Sequence, residues 1–360
     1  MKKISYIDDT EIKNKRVILR ANFDVSLNPN ATIAEDLRIK ENLPTINYLL
    51  KQNNRIICIA KLGRPVSLDP KLSLKIIILE NIRFYPEEKK NDMEFAKKIA
   101  SLGDVYVNDC FAMCHRAEAS IVSIPLLLPS YAGLALKSEI EVLSKAMKRP
   151  KKPLVVIIGG SKISTKIGLI NKLVESADYV LLGGGLANVF FRAQRYLIGQ
   201  SICEYEMVQK ARQLLFLAAQ KHTAIILPTD VIIGDPKDTE KAGVTKIMKE
   251  NHFPKDKSIL DIGPETKARF GAIINKANTI IWNGPVGMFE NHVYKHGTDF
   301  IYHAIAQNPK AVSIVGGGDT LAAISKKEYL DKISFVSTGG GAMLEFIEKG
   351  TLPGIEVLKH

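Results

Sequence analysis

The sequence predicts an α/β fold: parallel sheets, doubly wound, in two domains. Three observations carry this. Short apolar runs alternate with longer stretches of helical spacing. Several runs are apolar at every position, the pattern of strands covered on both faces. Four of them lead straight into glycine pairs or triplets and then into helical stretches, as right-handed β–turn–α crossovers require. The 360 residues suit two domains of ordinary size, and 46% hydrophobic with 24% charged residues is ordinary globular composition.

In chain order, Arg16–Arg20 (RVILR) reads as the first strand. Residues 38–53 carry Ile39, Leu43, Ile46, Leu49 and Leu50 at helical spacing, and Arg55–Ala60 (RIICIA) is the next strand. Lys75–Leu79 (KIIIL) and Val105–Asn108 (VYVN) follow as strands, then a helix over Leu134–Lys148. The cations and prolines of Arg149-Pro150 and Lys152-Pro153 mark the domain boundary. Beyond it, Leu154–Ile158 runs into Gly159-Gly160 and a helix over Ile163–Glu175. Tyr179–Leu182 runs into Gly183–Gly185 and a helix to about Arg195. Ile225–Leu227 and Thr279–Trp282 are further strands. Ala311–Val315 leads to Gly316–Gly318 and a helix from Thr320, and Ile333–Ser337 to Gly339–Gly341 and a helix to about Lys349.

Composition excludes several function classes. The 50 Lys+Arg against 38 Asp+Glu give +12, but the excess is spread evenly over both halves, with no basic tail or block. That favours small anionic ligands over a nucleic acid. Four cysteines (Cys58, Cys110, Cys114, Cys203) form no CxxC and no disulfide framework. The N-terminus has no apolar core of a signal peptide, and the densest apolar stretch, 121–136, is broken by Pro125 and Pro129. The expectation is a soluble, cytoplasmic protein with no membrane or nucleic-acid partner.

The glycine turns belong at the carboxyl edge of one sheet, where open α/β sheets bind ligands. Glycine lets backbone approach a ligand, and the helix start behind it offers unpaired N–H groups to an anion. There is no GxxxxGK[ST] and no GxGxxG after a first strand, which disfavours P-loop and dinucleotide chemistry. Lys162 and Lys166 follow Gly159-Gly160-Ser161; with the helix already begun they are i,i+4 and both ammoniums face one ligand. Their plainer role is that of two solvated lysines. Asp319 suits Mg²⁺ on a nucleotide, and equally a helix N-cap. Arg20, Arg38, Arg64, Arg83 and Arg116 lie near the ends of predicted elements. Each taken alone suits a surface ion pair; together they suggest a pocket for a small polyanion.

The chain resembles the phosphoglycerate kinase family over nearly its whole length. The resemblance rests on Lys61–Pro65 (KLGRP), Leu79–Phe84 (LENIRF), Gly103–Asp109 (GDVYVND), Ile158–Lys166 (IGGSKISTK) and Leu182–Ala187 (LGGGLA). It continues in Leu260–Pro264 (LDIGP), Trp282–Glu290 (WNGPVGMFE), Gly316–Thr320 (GGGDT) and Ser337–Glu345 (STGGGAMLE). It implies two Rossmann-like domains joined by a helix at about 133–148. Residues 1–149 would bind 3-phosphoglycerate, 150–340 would bind nucleotide, and 341–360 would return to the first domain. It implies reversible Mg²⁺-dependent transfer between 1,3-bisphosphoglycerate with ADP and 3-phosphoglycerate with ATP in glycolysis and gluconeogenesis, by a monomer whose domains close.

By the same resemblance, Asn22, Phe23, Asp24, Arg38, Lys61, Leu62, Gly63, Arg64, Arg83 and Arg116 surround the acid. Gly160, Lys162, Lys166, Gly184, Gly185, Asn283, Glu290, Gly316, Gly317, Gly318, Asp319 and Thr320 surround ATP/ADP, with Asp319 toward Mg²⁺. Arg38, Lys162 and Lys166 are the implied catalytic cations. The chemistry is consistent with the residues: the acceptor carboxylate is ionised near neutrality, so no general base is needed, and alignment with charge neutralisation does the work.

The departures sit on the acid side. The family's Asp-Phe-Asn is Asn22-Phe23-Asp24, its His before Leu-Gly-Arg-Pro is Lys61, and its second His after His115-Arg116-Ala117 is Glu118. Between Pro65 and Leu79 the family carries about one more helix-plus-strand unit, on the order of 30 residues for such a step. The first domain should therefore be smaller and less stable than the second. A second reading, a nucleotide-binding relative with weak or lost kinase activity, follows from these departures; a nucleic-acid binder is the third.

Overall fold

The structure, a computed structural model, describes residues 3–25, 30, 33, 36–61, 75–238, 240–241, 243–247, 253–324 and 327–360. The chain divides into two units: Met1–Ser144 with Gly341–His360, and Lys145–Gly340. The division falls inside a helix rather than at the proline cluster just beyond it.

The first unit is built on a parallel sheet of β1 (Arg16–Arg20), β2 (Arg55–Ile59), β3 (Ile76–Ile78), β4 (Val105–Asn108) and β5 (Ser130–Ala132), in the order β3-β2-β1-β4-β5. The strands form because their side chains are apolar on both faces: Val17, Ile18 and Leu19 are completely buried, and so are Tyr106 and Val107. Helix α1 (Leu37–Lys51) joins β1 to β2, and α2 (Met93–Ala100) precedes β4. Asp92 caps α2, its carboxylate accepting from the Phe95 amide at 2.8 Å. Chain order reverses between β1 and β4, so the carboxyl ends of those strands form the switch point at which such sheets take ligands. Strand β3 lies at the sheet edge, where Ile77 stands exposed.

Residues 341–360 belong to this unit. The Lys3 amide donates to the His360 carbonyl at 3.1 Å, and the Gly354 amide to the Cys114 carbonyl at 2.9 Å. The rings of Phe111 and Phe346 meet edge to face at 5.9 Å.

Helix α3 (Leu134–Lys148) runs from the first unit into the second. Its start is held in the first unit: Asp109 Oδ1 accepts from the Ala135 and Leu136 amides at 2.9 and 3.2 Å. Thr45 Oγ1 accepts from the Leu134 amide at 2.9 Å.

The second unit has a six-stranded parallel sheet. Its strands are β6 (Leu154–Ile158), β7 (Tyr179–Leu182), β8 (Ala224–Ile226), β12 (Thr279–Asn283), β13 (Val312–Gly316) and β14 (Phe335–Ser337), in the order β14-β13-β12-β6-β7-β8. Every residue of β6 and β12 is buried. At about 1.5–3 kcal/mol for each fully buried aliphatic side chain, these two central strands are strong contributors to the unit's stability. Trp282 sits in the core and donates its indole N–H to the Gly284 carbonyl at 2.9 Å, fixing the turn that leaves β12.

Helices α4 (Ile167–Val174), α5 (Gly184–Ala193), α6 (Val208–Gln220), α7 (Pro264–Ile274), α8 (His296–Ala306) and α9 (Gly318–Ala323) complete the crossovers. A separate antiparallel sheet of β9 (Asp230–Gly234), β10 (Val244–Ile247) and β11 (Ser258–Ile262) is an addition to the doubly wound plan read from the sequence. Its strands are short: β10 and β11 carry charge at Lys246 and Asp261, and β9 offers only the three-residue apolar run Val231–Ile233. Among the described residues no helix is long and apolar enough to cross a membrane.

Candidate functional site

The switch point of the second sheet lies between β6 and β12, and the chain turns sharply there. The Gly159 amide donates to the Asn283 carbonyl at 3.0 Å, and the Gly160 amide to the Pro285 carbonyl at 2.7 Å. Gly160 has φ +99°, a conformation L side chains rarely adopt, and an added Cβ would meet Lys166 Nζ at 2.9 Å. Gly317 has φ +113°, and a Cβ there would stand 2.8 Å from Asn283 Nδ2. At both turns glycine is what lets backbone reach the strand ends.

Lys166 is mostly buried. Its ammonium donates to the Gly159 carbonyl at 2.5 Å. Burial lowers its pKa to about 8, and the nearby Asp319 carboxylate opposes that shift. Lys162 is exposed on the same turn. Helix α4 starts at Ile167, so neither lysine lies inside it and the i,i+4 pairing expected from the sequence does not form. Lys166 instead reaches the site by folding back from the residue just before the helix. A residue that spacing could not reveal fixes this turn: Glu204, some 40 positions on. Its carboxylate accepts from the Ile163 and Ser164 amides at 2.5 and 3.0 Å and from the Ser164 hydroxyl at 2.5 Å.

Across the switch point, Asn283 Nδ2 donates to the Gly316 carbonyl at 2.8 Å. Thr320 Oγ1 accepts from the Gly284 amide at 2.7 Å and donates to the Gly316 carbonyl at 2.9 Å. Thr320 therefore fastens two glycine turns together. Asp319 is exposed in the first turn of α9, whose N-cap is Gly317, so Asp319 is not the cap residue.

A cavity of about 430 Å³ opens at this edge, lined by Gly160, Gly184, Gly185, Glu290 and Asp319. Its wall is largely apolar, with Ile202, Val231, Leu260, Met288 and Phe289. The apolar part comes from the antiparallel sheet and its neighbours, which sequence spacing did not place. Asp261 also lines it; burial raises its carboxyl to about 7, while the Gly297 and Ile262 amides at 2.6 and 2.8 Å oppose the shift. A cavity of this size with glycine turns and apolar walls suits a nucleotide, phosphates on backbone N–H groups and base against the wall; the Lys166 ammonium stands behind the lining, beside Gly160.

The first unit gathers polar residues at the carboxyl edge of β1 and β2. Asn22 is buried, its amide donating to Asn42 Oδ1 at 2.5 Å, while Asn42 Nδ2 donates to the Asp109 carbonyl at 3.1 Å. Phe23 packs against the core beneath. Asp24 meets two cations: Lys61 Nζ lies 3.1 Å from its Oδ2, and Arg38, in the first turn of α1, donates Nη1 to its carbonyl.

Arg116 is exposed, with Nη1 3.6 Å from Glu118 Oε1 and Nε 3.4 Å from His115 Nε2. Burial, reinforced by Arg116, lowers the pKa of His115. Arg83 is exposed on the short turn Ile82–Phe84. Leu62, Gly63 and Arg64 lie outside the described residues. Arg20 is no part of a surface anion pocket: it is buried, bonded through Nε to Ser120 Oγ at 2.9 Å and through Nη1 to the Ala21 carbonyl at 2.7 Å.

The parallel sheets, glycine turns and clustered cations define a class first: α/β proteins that handle phosphate groups at sheet switch points. Comparison with known proteins resolves the class. The phosphoglycerate kinase family model matches residues 7–78 and 73–350. The chain is 41% identical to the phosphoglycerate kinase of Dictyoglomus turgidum over 394 aligned residues, covering 99% of each. It is 40% identical to that of Moorella thermoacetica, covering 98% of each, and 38% identical to the cytosolic enzyme of Nicotiana tabacum, covering 99% and 98%. The solved structure of phosphoglycerate kinase from Coxiella burnetii superposes with a TM-score of 0.86 at 38% identity, covering 99% of each chain. That from Pyrococcus horikoshii superposes with 0.83 at 29% identity, covering 99% and 98%.

The chain belongs to the phosphoglycerate kinase family. It is accordingly a phosphotransferase with a carboxyl group as acceptor, its family implies a nucleotide substrate, and the reading of a relative without kinase activity is not favoured. The two matched stretches both include residues 73–78, and the 394-residue alignment exceeds the 360 residues of the chain. The family pattern is therefore interrupted at that point, where the sequence is short.

Proposed function

We propose that the first unit binds 3-phosphoglycerate at the carboxyl edge of β1 and β2, where Asn22, Asp24, Arg38 and Lys61 gather, together with Arg83 and Arg116, and that the second unit binds ATP or ADP in its glycine-lined cavity. The observation that carries the reading is the cavity at the β6–β12 switch point, lined by Gly160, Gly184, Gly185 and Asp319, with the Lys166 ammonium beside Gly160.

In the ATP-consuming direction a carboxylate oxygen of 3-phosphoglycerate attacks the terminal phosphorus. The bond from that phosphorus to the ADP oxygen breaks, and ADP leaves with the electron pair. The attacking carboxylate is already ionised near neutrality, so no side chain needs to remove a proton. What the protein must supply is alignment and positive charge for the three equatorial oxygens of the moving phosphoryl group. Lys162 and Lys166 supply charge from the nucleotide side and Arg38 from the acid side. Backbone N–H groups at Gly185 and Gly318, in the first turns of two helices, would meet the phosphates, while the Gly184 amide donates to the Val286 carbonyl at 2.8 Å and holds its turn.

The residues fit a nucleotide-held Mg²⁺ rather than an all-protein cage. Asp319 offers one hard oxygen at the cavity lining, and no cluster of three ligating side chains occurs among the described residues. When bound, Mg²⁺ supplies charge neutralisation on phosphate oxygens, with Asp319 and the nucleotide holding it. Cytosolic location, the designation of several plant relatives, fits these substrates.

Isothermal titration of ADP, with and without Mg²⁺, into the parent and Asp319→Ala tests the reading. The parent should bind ADP more tightly with Mg²⁺, and the variant should lose that gain. An equal Mg²⁺ gain in both would remove Asp319 from the site.

A further inference from the structure

Asp24 lies four residues beyond β1 and Lys61 two beyond β2. These strands are parallel neighbours in register, Arg20 opposite Ile59, so both residues emerge at one edge. The carboxylate of Asp24 meets the Lys61 ammonium at 3.1 Å while its backbone carbonyl accepts from Arg38. One residue thus holds two cations that arrive from different elements. The Lys61 side chain is only 11% exposed, so its charge sits largely out of water and depends on the counter-charge.

We propose that Asp24 is a positioning residue, which acts on the acid substrate by fixing Lys61 and Arg38 as one anion-binding unit, and that Asp24 and Lys61 function only as a pair. The proposal rests on the assignment of this edge to 3-phosphoglycerate. Breaking one half of a part-buried pair leaves the other charge uncompensated, whereas exchanging both together does not. The carboxylate of Asp24 is then engaged by Lys61 rather than by the substrate hydroxyl.

The test is a double-variant cycle of Asp24→Asn, Lys61→His and the two combined, read as kcat and KM for 3-phosphoglycerate, with KM for ATP and thermal melting alongside. Each single exchange should raise KM for 3-phosphoglycerate about tenfold or more, the size of a coupled close pair, and leave KM for ATP within about twofold. The combined exchange should return KM to within about threefold of the parent. Effects that multiply in the combined variant overturn the proposal. If a single variant fails to fold, the combined variant decides alone: parent-like KM supports the pair, and a KM raised about tenfold or more overturns it. Lys61→Ala separates the two levels. An unchanged KM for 3-phosphoglycerate overturns the site assignment and the proposal with it. A raised KM together with multiplying exchanges overturns the pairing alone.

Discussion

The ammonium of Lys166 donates to the carbonyl of Gly159 at 2.5 Å, across the turn that ends the central strand β6. The contact keeps a cation mostly buried beside Gly160, a residue of the cavity lining. Burial lowers the pKa of Lys166 to about 8, so near that pH the group is only partly protonated. A bound phosphate favours the charged form and draws a proton in. Nucleotide binding near pH 8 should therefore take up a fraction of a proton at this site. Calorimetry in two buffers of different ionisation heat measures it: buffer-dependent enthalpy in the parent, lost in Lys166→Arg. Equal enthalpies in both buffers for the parent would contradict the assignment.

Lys162 differs in being exposed on the turn that Glu204 pins. Its ammonium makes no side-chain hydrogen bond among the described residues and meets only the charge of Glu204, so its removal reports chiefly on catalysis. Lys162→Ala should lower kcat by about 10²–10³, as for other single groups that meet transition-state charge, with both KM values within a few-fold. An unchanged kcat would take Lys162 off the catalytic path.

Glu118 sits 3.6 Å from Arg116 and brings negative charge beside a proposed anion contact. Glu118→Gln removes that competition and should lower KM for 3-phosphoglycerate a few-fold, more at low ionic strength than at high. Steady-state kinetics at two salt concentrations decide; a raised KM would mean that Glu118 orients Arg116 instead.

The first unit also carries a pH-dependent stability. Asp109 is fully buried, and burial raises its carboxyl to about 7, against hydrogen bonds from Thr45, Leu136 and Ala135. The folded carboxyl holds its proton to higher pH than the unfolded one. Stability from this group is therefore present at low pH and lost as pH rises from about 4 to about 7. Asp261 in the second unit has the same sign, while the lowered pKa of His115 acts oppositely below its ordinary value of 6.5. Asp109→Asn should flatten the fall in Tm between pH 5 and pH 7.5 relative to the parent, by thermal melting. Parallel curves would contradict this.

Much of the fold was legible in the sequence because its central strands are apolar on both faces. Leu154–Ile158 and Val105–Asn108 are observed at the predicted limits, and Tyr179–Leu182 likewise. The glycine turns were legible because only glycine can hold φ values such as those of Gly160 and Gly317. The antiparallel sheet was not, since β10 and β11 carry internal charges and β9 offers only the short run Val231–Ile233. The helical pairing of Lys162 and Lys166 failed for a local reason: Glu204 satisfies the amides of Ile163 and Ser164 and delays the helix to Ile167. That contact, like the meeting of Asp24 with Lys61, joins residues some 40 positions apart, and spacing within a motif carries no information about it.

The central claim is that the chain transfers phosphoryl groups between nucleotide and the carboxylate of 3-phosphoglycerate. The most direct measurement supplies purified protein with 3-phosphoglycerate, ATP and Mg²⁺, coupled to a dehydrogenase that consumes the acyl phosphate, and follows loss of NADH. The account predicts turnover that needs all three components and falls by about 10²–10³ in Lys162→Ala. ATP binding with no turnover would contradict it.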